Sequence, residues 1–214
     1  MGPLSRSTRS DRSSTASAAK ASTADAGFNA AKLREALLTQ VNGVAAAAPA
    51  SSGTYSSLTG SGKQAASAAQ VTPKACTAAA SGFNPSALSA APAATVSFRV
   101  GTNGVSEALI ASPDAAAKSV LAGTIPAQCA QVKEMVGGKT YTYALTEQAV
   151  TGIGQQARAL NVQPVGSKAN GLWSLIYQGK GFVGTVTVAG PNASQKAVTE
   201  LGQQAYAYAV KTLS

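Results

Sequence analysis

The residues that usually move protons or attack electrophiles are nearly absent from this chain. Its 214 residues include no His, so Ser-His-Asp and Cys-His arrangements and imidazole bases are excluded. Beyond residue 100 the carboxylates are Glu107, Asp114, Glu134, Glu147 and Glu200, and no two stand close in sequence. Glycoside hydrolysis needs two carboxylates facing one groove, and nothing in the spacing supplies them. Asp114 follows Pro113 at an expected helix start, where a carboxylate complements the helix dipole. Glu107 lies inside an apolar strand and is expected to point outward. The cysteines are Cys76 and Cys129, 53 positions apart and without a CxxC. Zinc needs four N or S ligands, so no metal site is expected. "GSGK" at Gly60–Lys63 lacks the preceding strand and the following Ser or Thr of a phosphate loop, and reads as loop. "TGIGQQA" at residues 151–157 reads as a turn or helix entry. "NAS" at residues 192–194 fits a glycosylation sequon, but Asn192 stands at a helix start and reads as its cap. No catalytic residue, metal or cofactor is expected.

Charge narrows the partners. The net charge is +9, but the Lys and Arg are dispersed singly, as at Lys63, Arg99 and Lys168. Nucleic-acid binders cluster them on a face or in runs, so nucleic acid is not an expected partner. Apolar residues make up 45% of the chain, enough for a core. In an exported protein Cys76 and Cys129 would pair, and the closed loop would contribute about 4 kcal/mol on the chain-entropy model. That pairing is the expectation here. No apolar run is long enough to span a bilayer, and the first residues carry no signal-peptide h-region. Residues 1–27 are Ser/Thr/Ala-rich and unpatterned, as in a disordered linker or tail, which leaves residues 28–214 as a single domain.

The order of elements follows from periodicity. Leu33, Ala36, Leu37, Val41 and Val44 recur at three- and four-residue steps and predict a helix over residues 29–48. "ASSGTYSSLTGSG" has loop composition, and residues 64–80 read as Ala-rich with a short helix at Cys76. From residue 94 the period becomes two. "ATVSFRVG" and "GVSEALIAS" flank an Asn103-Gly104 turn signal, and "AQVKEMV" and "KTYTYALT" flank Gly137-Gly138. "ARALNVQPVG" and "LWSLIYQ" flank Asn170-Gly171. A helix is expected over "PDAAAKSVLAGTIP", and a longer one over residues 193–212.

"LWSLIYQGKGFVGTVTVAG" carries the only Trp and reads as a hairpin. With the turn at Gly179-Lys180, Tyr177 faces Phe182, Leu175 faces Gly184 and Trp173 faces Val186. Gly184 leaves room for a neighbouring ring. In the last helix Ala197, Val198, Leu201, Ala205, Tyr208 and Ala209 share one arc, as in a helix laid on a sheet. Trp173 is then a core residue beneath it. Trp173, Tyr177 and Phe182 are the residues expected to form either core or a ligand groove.

The segments "SGTYSSL", "VTPKACTAAASGFNPSALSAAPAATVSF", "LWSLIYQGKGFVGTVTVAGP" and "LGQQAYAYAVKTL" resemble, in this order, the envelope lipoproteins of actinobacteria. They are similar, more distantly, to the extracellular sensor domain of the mycobacterial serine/threonine kinase PknH. The resemblance spans residues 28–214 and implies an α+β fold. That fold has a central antiparallel sheet of about six strands built from hairpins, with an N-terminal helix and a long C-terminal helix packed on it. It also implies a groove for an unidentified ligand. The kinase sensor domains carry two disulfides, and this chain can form one. The expected role is a non-enzymatic exported sensor or solute-binding domain. The alternative is a structural or protein-interaction envelope lipoprotein without a small ligand. Expected partners are a small molecule or an envelope protein. The expected location is extracellular or at the cell envelope, with the membrane reached only through a lipid anchor or linker of a precursor.

Overall fold

The computed structural model describes residues 27–59, 70–80, 86–166 and 171–214. Most of the expected tail, the Gly60–Lys63 loop, Lys168 and the Asn170 half of its turn lie outside the described residues. The chain folds as α+β on a nine-stranded sheet in which every neighbouring pair is antiparallel. The strands are β3 (Ser51–Thr54), β4 (Gln70–Thr72), β5 (Pro92–Val100), β6 (Asn103–Ala111), β7 (Gln131–Val136), β8 (Lys139–Val150), β9 (Ala157–Pro164), β10 (Leu172–Gly179) and β11 (Phe182–Ala189). A separate two-stranded ribbon joins β1 (Gln40–Val41) to β2 (Val44–Ala45).

The spatial order is β3-β5-β6-β11-β10-β9-β8-β7-β4. After the β5–β6 hairpin the Asp114–Ala122 helix, packed on β10 and β11, carries the chain towards the far edge. From β7 the chain returns strand by strand until β11 lies beside β6. The expectation of about six strands is therefore corrected to nine. The added β3 and β4 are edge pieces of four and three residues, made of Ser, Gly, Thr and Gln with Val71 as their one apolar residue. Such residues carry no apolar alternation.

Two further expectations are corrected. The first helix spans only Ala30–Glu35, with Asn29 as N-cap. Asn42 and Gly43 both have positive φ, 50° and 77°, the geometry of a two-residue hairpin turn. They turn the chain where a helical period had been read. The β5–β6 turn is Gly101-Thr102, because Val100 pairs with Asn103. Gly137-Gly138 does form its turn, between Val136 and Lys139.

Helices and helical segments pack on both faces of the central strands. One face packs Val96, Leu109, Leu175 and Val186 against Leu33 and Leu37 of the first helical segment and Val198, Leu201, Ala205 and Ala209 of the Gln195–Leu213 helix. The other packs Ile110, Ile176 and Val183 against Ala117 and Leu121. Farther along, it packs Val132 and Leu145 around Cys76 and Cys129.

The β10–β11 turn is Lys180-Gly181, one residue later than expected, and Gly181 takes a φ of 78°. Tyr177 therefore pairs with Gly184, Leu175 with Val186 and Trp173 with Val188. Each partner moves by two positions, an even slip, so every side chain keeps its expected face. The ring of Tyr177 lies over Gly184, where a Cβ would sit 2.1 Å from its Cζ. Gly184→Ala must displace that buried ring and is expected to destabilise by about 1–3 kcal/mol, measured by urea unfolding. A change within about 0.5 kcal/mol, as at a surface position, would mean that the ring is not held there.

Cys76 and Cys129, 53 positions apart in sequence, form a disulfide, as expected. It ties the segment after β4 to the segment before β7. Replacing both by Ser should lower stability by about 2–5 kcal/mol. If the double variant unfolds at the wild-type denaturant midpoint, the loop constraint does not contribute.

Candidate functional site

At the turn end of the β10–β11 hairpin four aromatic rings meet edge to face. Tyr177 lies 6.3 Å from Phe182 and 5.7 Å from Tyr206, and Phe28 lies 6.4 Å from Phe182. Tyr177 and Phe182 are buried, while Phe28 and Tyr206 are half-buried. A groove of about 770 Å³ opens over the outer rings, and Phe28, Phe182, Tyr206, Val210 and Leu213 form its apolar walls. Asp114 and Lys180 stand among its polar residues. The volume lies within the range of small-molecule sites.

Each wall has a local cause. The last helix begins at Ser194, whose side chain accepts the Ala197 N–H at 3.1 Å. Ser194 is thus the cap, correcting the reading of Asn192, whose N–H donates to Asn103 Oδ1 at 3.2 Å. This helix carries two apolar stripes. Val198, Leu201, Ala205 and Ala209 meet the sheet. Tyr206, Val210 and Leu213 follow at steps of four and three, so they share a second stripe that lines the groove. Val210 is 40% exposed. Phe28 immediately precedes the Asn29 cap, whose side chain accepts the Lys32 N–H at 2.9 Å. Asp114, at the start of its helix as expected, accepts the Gly181 N–H on Oδ1 at 3.4 Å. Ser112 N–H donates to the Gly181 carbonyl at 3.0 Å. The hairpin turn and the helix start thereby form one end of the groove.

Beneath the sheet-covering helices lies a buried carboxylate. Glu107 was expected to point outward, but it is 2% exposed. Strand alternation puts it on the face of Val105 and Leu109, and helices cover that face. Its Oε2 accepts the Leu38 N–H at 2.8 Å, just past the first helix. Its Oε1 and the Tyr177 hydroxyl make no hydrogen bond among the described residues. Burial raises the Glu107 carboxyl to about 7, against the opposing pull of the Leu38 N–H. Burial, and then the nearby Glu107 charge, push the Tyr177 hydroxyl well above the usual phenol range.

The expected site residues are only partly brought together. Phe182 lines the groove and Tyr177 stands behind it. Trp173 shares their face but lies at the opposite end of the hairpin, half-buried at the edge of the core. Tyr206, Val210, Leu213, Phe28 and Lys180 were not singled out from sequence. The four-and-three spacing of Tyr206, Val210 and Leu213 was the available signal. Cys76 and Cys129 lie on the other face. There Glu147 accepts the Ile125 N–H at 2.8 Å and pairs with Arg158. Arg158 also donates to the Gly123 and Val120 carbonyls. That ion pair anchors a helix end to the sheet, a structural use of both charges. Glu200 pairs with Lys196 at 3.9 Å, both exposed. No group of three or more His, Cys, Asp or Glu placed to hold a metal occurs among the described residues. Nor is any described helix long and apolar enough to cross a membrane.

No family model matches the chain, and none of the curated proteins matches it in sequence. Among solved structures the chain is similar to the extracellular domain of PknH from Mycobacterium tuberculosis. The identity is 15% and the TM-score 0.48, over 68% of this chain and 77% of that one. It is also similar to an uncharacterized protein from Mycobacterium smegmatis, the Rv0999 ortholog. There the identity is 16% and the TM-score 0.42, over 79% of this chain and 85% of that one.

The pH dependence of stability tests the buried carboxylate. In the unfolded chain Glu107 ionises near its ordinary value of 4.5, and in the fold near 7. Between those values the native state holds a proton that the unfolded state has released. Stability conferred by the neutral carboxyl is therefore full below pH 4.5 and is lost as the pH rises towards 7, by on the order of 3 kcal/mol. Glu107→Gln stays neutral and should flatten the melting temperature over that window. An unchanged slope in the variant would place the dependence on another group.

Proposed function

We propose that this chain is a non-enzymatic extracellular sensor or solute-binding domain of the cell envelope, with the groove beside Phe182 as its ligand site. The observation that carries this reading is the second apolar stripe of the last helix. Tyr206, Val210 and Leu213 line the groove together with Phe28 and Phe182, and Val210 is left 40% exposed there. Concave apolar walls with a few polar groups at one end are how small-molecule sites are built. The Cys76–Cys129 disulfide supports an oxidising, extracellular compartment. On this reading the partner is a small molecule or an envelope protein, and the membrane is reached only through a lipid anchor or linker of a precursor.

A structural or protein-interaction role without a small ligand has its own observation. Val136 and Tyr141, on one face of the β7–β8 tip, are 41% and 44% exposed, and neighbouring exposed apolar side chains mark contact surfaces. One experiment separates the readings. Thermal shifts are recorded against a panel of small solutes for wild type and Val210→Glu. This surface change should itself alter stability by no more than about 0.5 kcal/mol. The groove reading expects a solute that raises the melting temperature of wild type but not of Val210→Glu. If every stabilising solute acts equally on both proteins, the groove is not the site and the tip becomes the stronger candidate.

A further inference from the structure

The first helical segment meets the sheet through apolar side chains and one polar contact. Leu33, Ala36 and Leu37 are buried in the core, and the Leu38 N–H donates to Glu107 Oε2 at 2.8 Å. That bond spans 69 positions and ties the segment to β6. Glu107 lies between Val96 of β5 and Val186 of β11. The ionisable groups on the elements packed around it are exposed or phenolic. The first helix carries Lys32, Arg34 and Glu35, all exposed, with Lys32 paired to Glu35. The last helix carries Lys196, Glu200 and Lys211, exposed, and the half-buried Tyr206 and Tyr208. β5 adds the exposed Arg99 and β10 the buried Tyr177. An ionised Glu107 therefore has to be reached by water, because a buried charge without a partner is costly. The first helical segment packs on β5 and β6, whereas the last helix packs on β9, β10 and β11. The cover over Glu107 is also the weaker one: a helix of six residues, against nineteen in the last helix.

We propose that residues 28–39 form a proton-controlled flap, which opens from the sheet as Glu107 gives its proton to water and closes when the carboxyl is neutral. Open, Glu107 ionises near its ordinary 4.5; closed, burial holds it at about 7 against the pull of the Leu38 N–H. Opening releases a proton between those values. It therefore becomes about ten-fold more favourable with each pH unit across that window. Above the upper value both forms are ionised and the gain stops. Phe28 belongs to the flap, and its ring meets that of Phe182 at 6.4 Å. Opening thus withdraws one wall of the groove, whatever the groove holds, and the flap does not rest on the groove being a ligand site.

The test is hydrogen exchange by NMR at the Leu33, Leu37 and Leu38 amides across that window. Each rate is divided into that of an unstructured peptide at the same pH, so that the chemistry of exchange cancels and protection remains. The first two amides donate to the Asn29 and Arg34 carbonyls, and the third to Glu107 itself. In wild type the protection of all three is expected to fall together, about ten-fold per pH unit. It should stay below that of the Ile176 amide in β10, as local opening requires. Glu107→Gln is neutral at every pH and can still accept the Leu38 N–H, so its protection should be level. Glu107→Met, neutral and without that acceptor, should also be level, with Leu38 less protected than in wild type at the acid end. Protection without a slope in wild type would overturn proton control. A slope that survives in either variant would overturn Glu107 as the group responsible. Protection equal to that of Ile176 would mean that the segment leaves only when the sheet unfolds, and the flap would fail.

Discussion

The parity of one hairpin decides what the two faces of this molecule are. Gly181, at a φ of 78°, allows a two-residue turn between Gly179 and Phe182, and β11 is then paired on its other side to β6. A slip of one residue would exchange the faces of both strands. Leu175 and Tyr177 would leave the cover of the last helix, and Ile176 and Gln178 would leave that of the Asp114–Ala122 helix to take their places. With strands on both flanks and helices on both faces, β10 and β11 have no solvent side on which an error could be hidden. Their central residues from Leu175 to Gln178 are all buried.

Packing at the turn end follows from that parity. Tyr177 and Gly184 are directly opposed, and only a residue without a side chain lets the ring lie down on the neighbouring strand. Lying there, Tyr177 meets Phe182 and Tyr206 edge to face, an arrangement favoured by the ring quadrupoles. The same face puts Glu107 opposite Val186, in a region with little water to solvate a charge. The carboxylate is kept there by a backbone amide that would otherwise be orphaned, that of Leu38. A side chain that opposes stability at neutral pH thus closes the hydrogen-bonding of the segment leaving the first helix.

The strands from β5 to β11 and the faces of the β10–β11 hairpin were legible from sequence, because alternation survives an even error in register. The β10–β11 turn was misplaced by one residue and every face remained correct. Helix length at residues 29–48 was not legible. Leu33, Leu37, Val41 and Val44 fit a helical period, while Asn42-Gly43 inside that period carried the opposing turn signal. Edge strands such as Ser51–Thr54 follow from pairing with β5 and leave no mark in composition. Glu107 was misjudged by assuming that an acidic residue in a strand faces water, although Val105 and Leu109 share its parity. Of the candidate site, the sequence points to Phe182 and Tyr177 but not to the residues of the last helix, because Tyr206, Val210 and Leu213 lie beside the more regular arc of Val198, Leu201, Ala205 and Ala209.

That second arc bears on how the molecule divides rigidity from access. The disulfide lies with Val132 and Leu145 near the β7–β8 edge, and four inter-strand steps separate β7 from β11 in the sheet. At the usual strand spacing that is about 19 Å. The covalent tie therefore braces the edge where β4, of three residues, is the last strand, and it does not bridge the groove. The groove end is held by softer interactions: ring contacts, the Ser112–Gly181 backbone bond and the longer Asp114–Gly181 bond. Such interactions can rearrange locally without unfolding the sheet. Phe28, at the entry to the first helix, and Leu213, near the end of the last, are both only half-buried. The walls that a ligand would press on are thus carried by the segments least constrained by the nine-stranded sheet.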